Sequence, residues 1–251
     1  MAQTMTWRSS NPALGTDAFR GARGAFGAES MTVAGTVHRT GISLVLMLLA
    51  AGYVWNRGPA DSGVGAFVMG GAIGALVVAM ITVFKQTWAP YTTPAYAVLE
   101  GFALGGISVV FEAAYPGIAS QAVFLTAGTL GAMLIAYSAG VIRATDKFKL
   151  GVVAATGGIA LIYVLSFILG FFGVNIPLIH SNGTFGILFS LFVVAIAALN
   201  LVLDFDLIEQ GARRGAPRYM EWYGAFALLV TLVWLYLEIL RLLAKLQSRR
   251  E

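Results

Sequence analysis

Carboxylates lie within, or at the ends of, long apolar runs of this chain, where an acidic side chain is unexpected. Asp204, Asp206 and Glu209 close one such run in the segment NLVLDFDLIEQG. Glu100 lies in YAVLEGFALGG, and Glu238 lies in LVWLYLEILRLL. An ionisable group inside a membrane-spanning helix is costly and by default indicates an ion or proton pathway. Because carboxylate oxygens take up protons and are ligands that Ca²⁺ prefers, these residues point to the chemistry of H⁺ or Ca²⁺.

Helical geometry separates Asp204 from Asp206. Two positions along an α-helix differ by about 200° of rotation, so the two side chains point in different directions. Asp204 shares its face with Asn200, whereas Asp206 shares its face with Leu203 and Glu209. We therefore expect Asp204 to face the interior of a helical bundle. We expect Asp206 and Glu209 to approach the cytoplasmic membrane surface.

Glu238 belongs to a polar stripe on one predicted helix. Residues three and four positions apart share a helix face, and the stripe consists of Thr231, Trp234, Glu238, Arg241 and Lys245. Two interpretations are open. Glu238 either forms a local ion pair with Arg241, or faces the bundle interior and meets Asp204. In the second case two poorly solvated carboxylates would titrate as a coupled pair, which responds to both protons and Ca²⁺.

The composition places the chain in the membrane. Of its 251 residues 58% are hydrophobic and 11% are charged, whereas soluble domains carry about 25% charged residues. The absence of cysteine excludes disulfides and thiol chemistry. The formal charge is +4, but the basic residues lie between apolar runs, which favours an anionic membrane surface over nucleic acid as the partner. The chain has no phosphate-binding loop, catalytic triad pattern or HExxH motif, so we expect no enzyme activity and no cofactor.

Seven apolar segments are long enough, at about 20 residues, to be membrane spans. They are approximately Val33–Trp55, Val64–Phe84, Ala95–Phe111, Ala119–Ile142, Gly151–Phe172, Thr184–Leu203 and Glu221–Leu243. Links rich in Pro and Gly separate them, and helices are expected to stop there. The third segment is the shortest. Six spans plus a re-entrant third segment is therefore the alternative to seven spans.

The distribution of Lys and Arg predicts the domain organisation and the orientation. Residues 1–32 have no apolar core and are expected to form a flexible cytoplasmic tail, followed by a membrane domain over 33–246 and a short C-terminal tail over 247–251. The tail and the links on its side hold nearly all the basic residues, while the opposite links hold only Arg57. This asymmetry places the N-terminus in the cytoplasm. The basic C-terminus conflicts with an odd number of spans, and its side stays open.

Several motifs, taken in their order, resemble the Bax inhibitor-one family, also called the transmembrane Bax-inhibitor-motif family. They are LEGFALG at the third span, LDFDLIEQG at the end of the sixth and LYLEILRLL in the seventh. The segment RSSNPAL and the C-terminal run resemble a bacterial branch, and the resemblance covers roughly residues 33–246. It implies an all-α membrane protein in which six helices surround a central C-terminal seventh, located in the bacterial cytoplasmic membrane.

The resemblance also implies a function. Family members are described as pH-sensitive Ca²⁺ leak channels, so a leak channel or an H⁺/Ca²⁺ exchanger is expected. The family's paired acidic sensor falls on Asp204 and Glu238, which would also be the Ca²⁺ ligands. A basic latch partner falls on Lys85, with Asp206, Glu100 and Arg241 as secondary candidates. The alternative is a non-transporting regulator that binds a membrane protease or a quality-control complex, with the N-terminal tail as its docking element.

Three departures from the family pattern bear on the predicted sensor. Glu238 stands where the family has Asp, and Lys85 stands where it has Arg, although a lysine cannot make the two-pronged contact of a guanidinium. The spacing between Asp204 and Glu238 is also longer than in the family. Whether Asp204 or Asp206 pairs with Glu238 therefore stays open.

Overall fold

A computed structural model describes residues 30–173 and 183–249 of the protein. These residues form seven α-helices, with a single 3₁₀ turn, Gln86–Trp88, before the third. They are α1 Val33–Trp55, α2 Val64–Phe84, α3 Ala89–Ala114, α4 Ile118–Ser138, α5 Asp146–Phe171, α6 Thr184–Arg213 and α7 Met220–Gln247. All seven are long and apolar enough to cross a membrane. The protein is therefore an all-α, multi-pass membrane protein whose helices contact lipid.

The third span differs from its prediction. It was expected to be the shortest segment, with a re-entrant loop as the alternative, but α3 is a continuous helix of 26 residues. The error came from treating the prolines of the segment APYTTP as helix breakers. Pro90 lies in the first turn, where its missing N–H has no intrahelical partner to lose, and Pro94 follows one turn later. Pro94 lies inside the helix, and α3 continues past it to Ala114.

The sixth span is also longer than predicted. We expected the apolar segment to end at about Leu203, with Asp204 and Asp206 at the helix end, but α6 continues to Arg213. Pairs of side chains four residues apart support this extension. The amide of Gln210 donates to Asp206 over 2.5 Å, and Arg213 pairs with Glu209. The polar and charged side chains at the end of this span therefore bond to one another along the helix and are compatible with its continuation.

The chain divides into two compact units, and each is described by itself. The α1–α3 unit contains the described residues up to Ala119 together with Asp204–Val230. The α4–α5 unit contains the described residues of Ser120–Leu203 and residues 231–249. Helices α6 and α7 contribute one segment to each unit. The α7 helix is the most enclosed of the seven, with 67% of its most apolar stretch buried.

The start of the described chain is packed onto the α1–α3 unit. Of the predicted flexible tail, residues 1–29 lie outside the described residues. The last residues of that tail are held in place: Met31 is buried, and its N–H donates to the carbonyl of Ala216 over 2.6 Å. Thr32 then caps α1 by accepting from the N–H of Gly35. The helix consequently begins at Val33, as predicted.

Small residues allow close helix packing in the α1–α3 unit. A Cβ atom placed on Gly105 of α3 would lie 2.8 Å from the Cα of Ala51 in α1, so the two backbones are in direct contact there. Glycines within these spans thus let the membrane helices approach closely. The glycines of the GTLGA segment behave differently, because Gly128 and Gly131 face open space.

The α4–α5 unit is built on an apolar cluster that joins three helices. Ile159 of α5 packs with Val193 and Ile196 of α6. Partly buried side chains pack around these three, namely Ala155, Tyr163, Phe189, Leu199 and Trp234. Tyr163 and Trp234 extend the cluster toward the polar stripe of α7.

Candidate functional site

Asp204 is enclosed within the protein. Its exposed fraction is 0%, whereas Asp206 and Glu209 on the same helix are partly exposed. Asn200, one turn earlier, is also buried and donates to the hydroxyl of Thr156 over 2.8 Å. The burial of Asp204 agrees with the inward direction expected from helical geometry. Its role as an ion or proton sensor stays a prediction.

Glu238 lies in a polar cluster of the α4–α5 unit that consists of Glu238, Arg241 and Tyr163. Its carboxylate, 2% exposed, accepts a hydrogen bond of 2.9 Å from the hydroxyl of Tyr163 in α5. Nη1 of Arg241 donates to both carboxylate oxygens, over 2.9 and 3.2 Å, and also to the Tyr163 hydroxyl over 2.9 Å. The local Glu238–Arg241 ion pair, one of the two interpretations left open by the sequence, is therefore formed.

The Glu238–Arg241 pair is enclosed on one side and open on the other. The Arg241 side chain is 40% exposed, in contrast to the buried carboxylate. Its guanidinium also lies over the Tyr163 ring, 5.3 Å from the centroid, which adds a cation–π contact. Sequence reasoning did not single out Tyr163, because a tyrosine in an apolar α5 segment carries no signal of its partners on α7.

Lys245 is a buried cation on the same stripe of α7. Its side chain donates to the hydroxyl of Ser190 over 2.9 Å and to the carbonyl of Gly186 over 3.1 Å, both in the first turns of α6. The residue is 5% exposed. Neutral oxygens thus solvate the ammonium in place of water, and they tie the end of α7 to the beginning of α6.

The predicted sensor residues fall in different units. Asp204 belongs to the α1–α3 unit and Glu238 to the α4–α5 unit, so their pairing stays a prediction, as does the alternative pairing through Asp206. Within the described ranges no group of three or more His, Asp or Glu side chains forms a metal cluster. A Ca²⁺ ion that used these carboxylates would need other oxygens as well, because it takes about six to eight ligands.

The remaining predicted site residues are Lys85 and Glu100. Lys85 is exposed at the end of α2, with its ammonium 6.0 Å from the centroid of the Trp88 ring. Glu100 is partly buried in α3. The latch role of Lys85 and the secondary role of Glu100 stay predictions.

Glu221 is a buried carboxylate that the sequence reasoning passed over. It stands in the first turn of α7 and accepts from both the N–H and the hydroxyl of Thr32, each over 2.9 Å. Its second oxygen pairs with Arg39 of α1 over 2.6 Å. A Cβ atom on Gly35 would overlap this carboxylate. The available signal was an acid at a helix start together with an arginine inside the first predicted span.

Comparison with known proteins gives one match. The sequence profile of the family described as "Bax inhibitor 1 like" matches residues 11–248. No curated protein and no solved structure matches the chain. The match covers all seven helices and every residue of the candidate site.

Proposed function

The chain belongs to the Bax inhibitor 1-like family, and from this premise we propose that it is a pH-sensitive Ca²⁺ leak channel or an H⁺/Ca²⁺ exchanger. It acts in the bacterial cytoplasmic membrane with its N-terminus in the cytoplasm. It is not an enzyme and has no resident cofactor, since Ca²⁺ and H⁺ are the ions that it moves or senses. The observation that carries the proposal is the burial of two carboxylates, Asp204 and Glu238, in helices able to span the membrane.

The chemistry of buried carboxylates suits a gate that responds to both ions. Protonation of Glu238 removes the charge that holds Arg241, and protonation of Asp204 removes a charge from an enclosed position. When ionised, both side chains attract a divalent cation. Two carboxylates supply only part of the coordination shell of Ca²⁺, which favours movement of the ion through the protein over tight binding. In this scheme Lys85 acts as the latch for Asp204.

The test is Ca²⁺ flux into liposomes that contain only this protein and a Ca²⁺-sensitive dye, measured over a range of pH. Asp204→Asn and Glu238→Gln are expected to change the flux and its pH dependence. Glu209→Gln is the matched control, because this partly exposed carboxylate pairs with Arg213 on the helix surface. We expect the control to behave as the wild type.

Two outcomes would contradict the proposal. If Asp204→Asn and Glu238→Gln both leave the flux and its pH profile unchanged, these carboxylates are not the sensor. If the wild-type protein gives no flux at any pH, the protein is not a channel. A non-transporting regulator that binds a membrane protease or a quality-control complex would then be favoured.

A further inference from the structure

We propose that Arg241 is a tethered cation that occupies the Glu238 carboxylate in competition with Ca²⁺, and that Tyr163 is the positioning residue that holds this pair. The proposal rests on the proposed function and adds a component to it. Its basis is the polar cluster of the α4–α5 unit, in which a single nitrogen of Arg241 reaches both oxygens of Glu238 and the hydroxyl of Tyr163.

The direction of approach to the carboxylate supports competition. Glu238 is 2% exposed, whereas 40% of the Arg241 side chain is exposed. An incoming cation therefore meets the guanidinium before it meets the carboxylate. Because Ca²⁺ needs direct contact with carboxylate oxygens, it can bind Glu238 only after Arg241 has moved away.

The pair can open without a movement of the helices. Arg241 and Glu238 stand three residues apart on α7, so rotation of the arginine side chain alone separates them. The exposed part of the side chain already lies toward the surface of the α4–α5 unit. Opening thus requires the loss of a few hydrogen bonds and of the cation–π contact with the Tyr163 ring.

Tyr163 fixes the closed arrangement because its ring is itself held in place. The ring packs edge-to-face on Phe189 of α6, with 6.5 Å between the centroids, and it borders the apolar cluster around Ile159. Its hydroxyl donates to Glu238 and accepts from Arg241. A tyrosine anchored in this way keeps the carboxylate of Glu238 and the guanidinium of Arg241 in contact.

The charges around Glu238 in the α4–α5 unit make the binding of Ca²⁺ unfavourable while Arg241 is in place. From α7 the carboxylate is faced by Arg241 and, two turns further on, by Lys245; from α5 it is faced by the Tyr163 hydroxyl. From α6 the neutral Ser190 contacts the stripe through its hydrogen bond with Lys245. With Glu238 ionised the stripe carries one net positive charge. A divalent cation is therefore repelled until the guanidinium withdraws.

The experiment measures the Ca²⁺ concentration that gives half-maximal flux in liposomes at fixed pH. Arg241→Gln is expected to lower it by about tenfold, because the competing charge-assisted hydrogen bonds are lost. Tyr163→Phe keeps the ring and removes the hydroxyl, so we expect a decrease of about threefold. The double variant should not exceed Arg241→Gln alone, because both changes act on one pair. Arg213→Gln, which breaks an exposed arginine–glutamate pair on α6, is the matched control and should change nothing.

A lowered half-maximal concentration with full maximal flux is a result that partial unfolding does not produce. If the wild type conducts and responds to Glu238→Gln, but Arg241→Gln leaves the half-maximal concentration unchanged, competition is refuted while the proposed function stands. If the wild type gives no flux, Ca²⁺ binding to the purified full-length protein in detergent decides the inference. Arg241→Gln must then increase binding, and adding Glu238→Gln must remove the gain; without that gain the inference is wrong.

Discussion

Helix α7 carries two buried glutamates that are each paired with an arginine, and the two pairs are built differently. Glu221 joins α7 to α1: its carboxylate is 4% exposed, the Arg39 side chain is 16% exposed, and Thr32 supplies two more donors. Glu238 pairs within α7, and the Arg241 side chain is 40% exposed. One arginine is thus enclosed between helices, while the other lies at the edge of its cluster.

This difference separates a structural ion pair from one that can open. Loss of one partner in a fully enclosed pair leaves an uncompensated charge in a poorly solvated place, so such a pair holds its helices together. Glu221 gains further from its place in the first turn of α7, where the helix dipole favours a negative charge. Arg241 instead lies partly at the surface of its unit, so its side chain can leave Glu238 without moving a helix. We therefore expect the first pair to govern stability and the second to govern ion dependence.

The largest effect is expected from breaking the enclosed pair. Arg39→Met keeps the length of the side chain but leaves Glu221 buried with only the Thr32 donors. The free energy of unfolding should fall by about 3–5 kcal/mol. Denaturant-induced unfolding in detergent, followed by circular dichroism, measures the change.

Arg241→Met is the matched comparison for this prediction. The variant leaves the buried Glu238 with the Tyr163 hydroxyl as a donor. Because the lost guanidinium lies at the edge of its cluster, the loss should be smaller than for Arg39→Met, about 1–3 kcal/mol. Equal losses for Arg39→Met and Arg241→Met would show that the exposure of the arginine does not separate the two pairs.

A smaller effect is expected from crowding the enclosed pair while keeping both charges. Gly35→Ala puts a methyl group where the Glu221 carboxylate now lies, so the carboxylate has to shift away from Arg39 or Thr32. We expect a loss of about 1–3 kcal/mol in the same unfolding measurement. Gly41→Ala in the same helix meets no atom within 4 Å, and it should be neutral or stabilising by about 0.5–1 kcal/mol. If both substitutions behave alike, the close fit of Gly35 against Glu221 has no energetic role.

The same two pairs show how far sequence reasoning reaches. Helix periodicity placed Asp204 inward, and the three- and four-residue spacing of α7 brought Glu238 and Arg241 onto one face, because these relations lie within one or two turns. The bounds of α1 were also predictable, since its ends coincide with Thr32 and with the breaker-rich link NRGPADSG.

Relations across the chain were not predictable in this way. Thr32 and Glu221 lie 189 positions apart, and no local rule connects an N-terminal cap with an acid in the last helix. The position of the Tyr163 hydroxyl on Glu238 depends likewise on how α5 and α7 pack. Local patterns therefore identify which residues are out of place in a membrane helix, and tertiary packing decides which of them are paired.

The smallest effect is expected from an exposed pair outside the spans, in the link between α1 and α2. The pKa of Asp61 lies below its ordinary value, first because the N–H of Gly63 donates to it over 2.7 Å and then because of Arg57 at 3.1 Å. The pKa of Arg57 is raised by the Tyr53 hydroxyl and by Asp61. A carboxyl whose pKa is lowered by folding stabilises the protein above its unfolded pKa of about 3.9. This contribution is lost as the pH falls through the lower folded value.

Asp61→Asn tests this third pair, in which the carboxylate as well as the arginine is partly exposed, at 30% and 36%. The amide oxygen can still accept from Gly63, while the charge that pairs with Arg57 is gone. The unfolding midpoints of wild type and variant should coincide in strong acid and separate slightly above about pH 4, with the wild type more stable. The separation should be smaller than that caused by Arg241→Met, because water screens both groups. A constant offset across the whole pH range would mean that the ionised form of Asp61 contributes nothing to the stability of the protein. The Asp61–Arg57 pair would then not belong in the comparison of the three ion pairs.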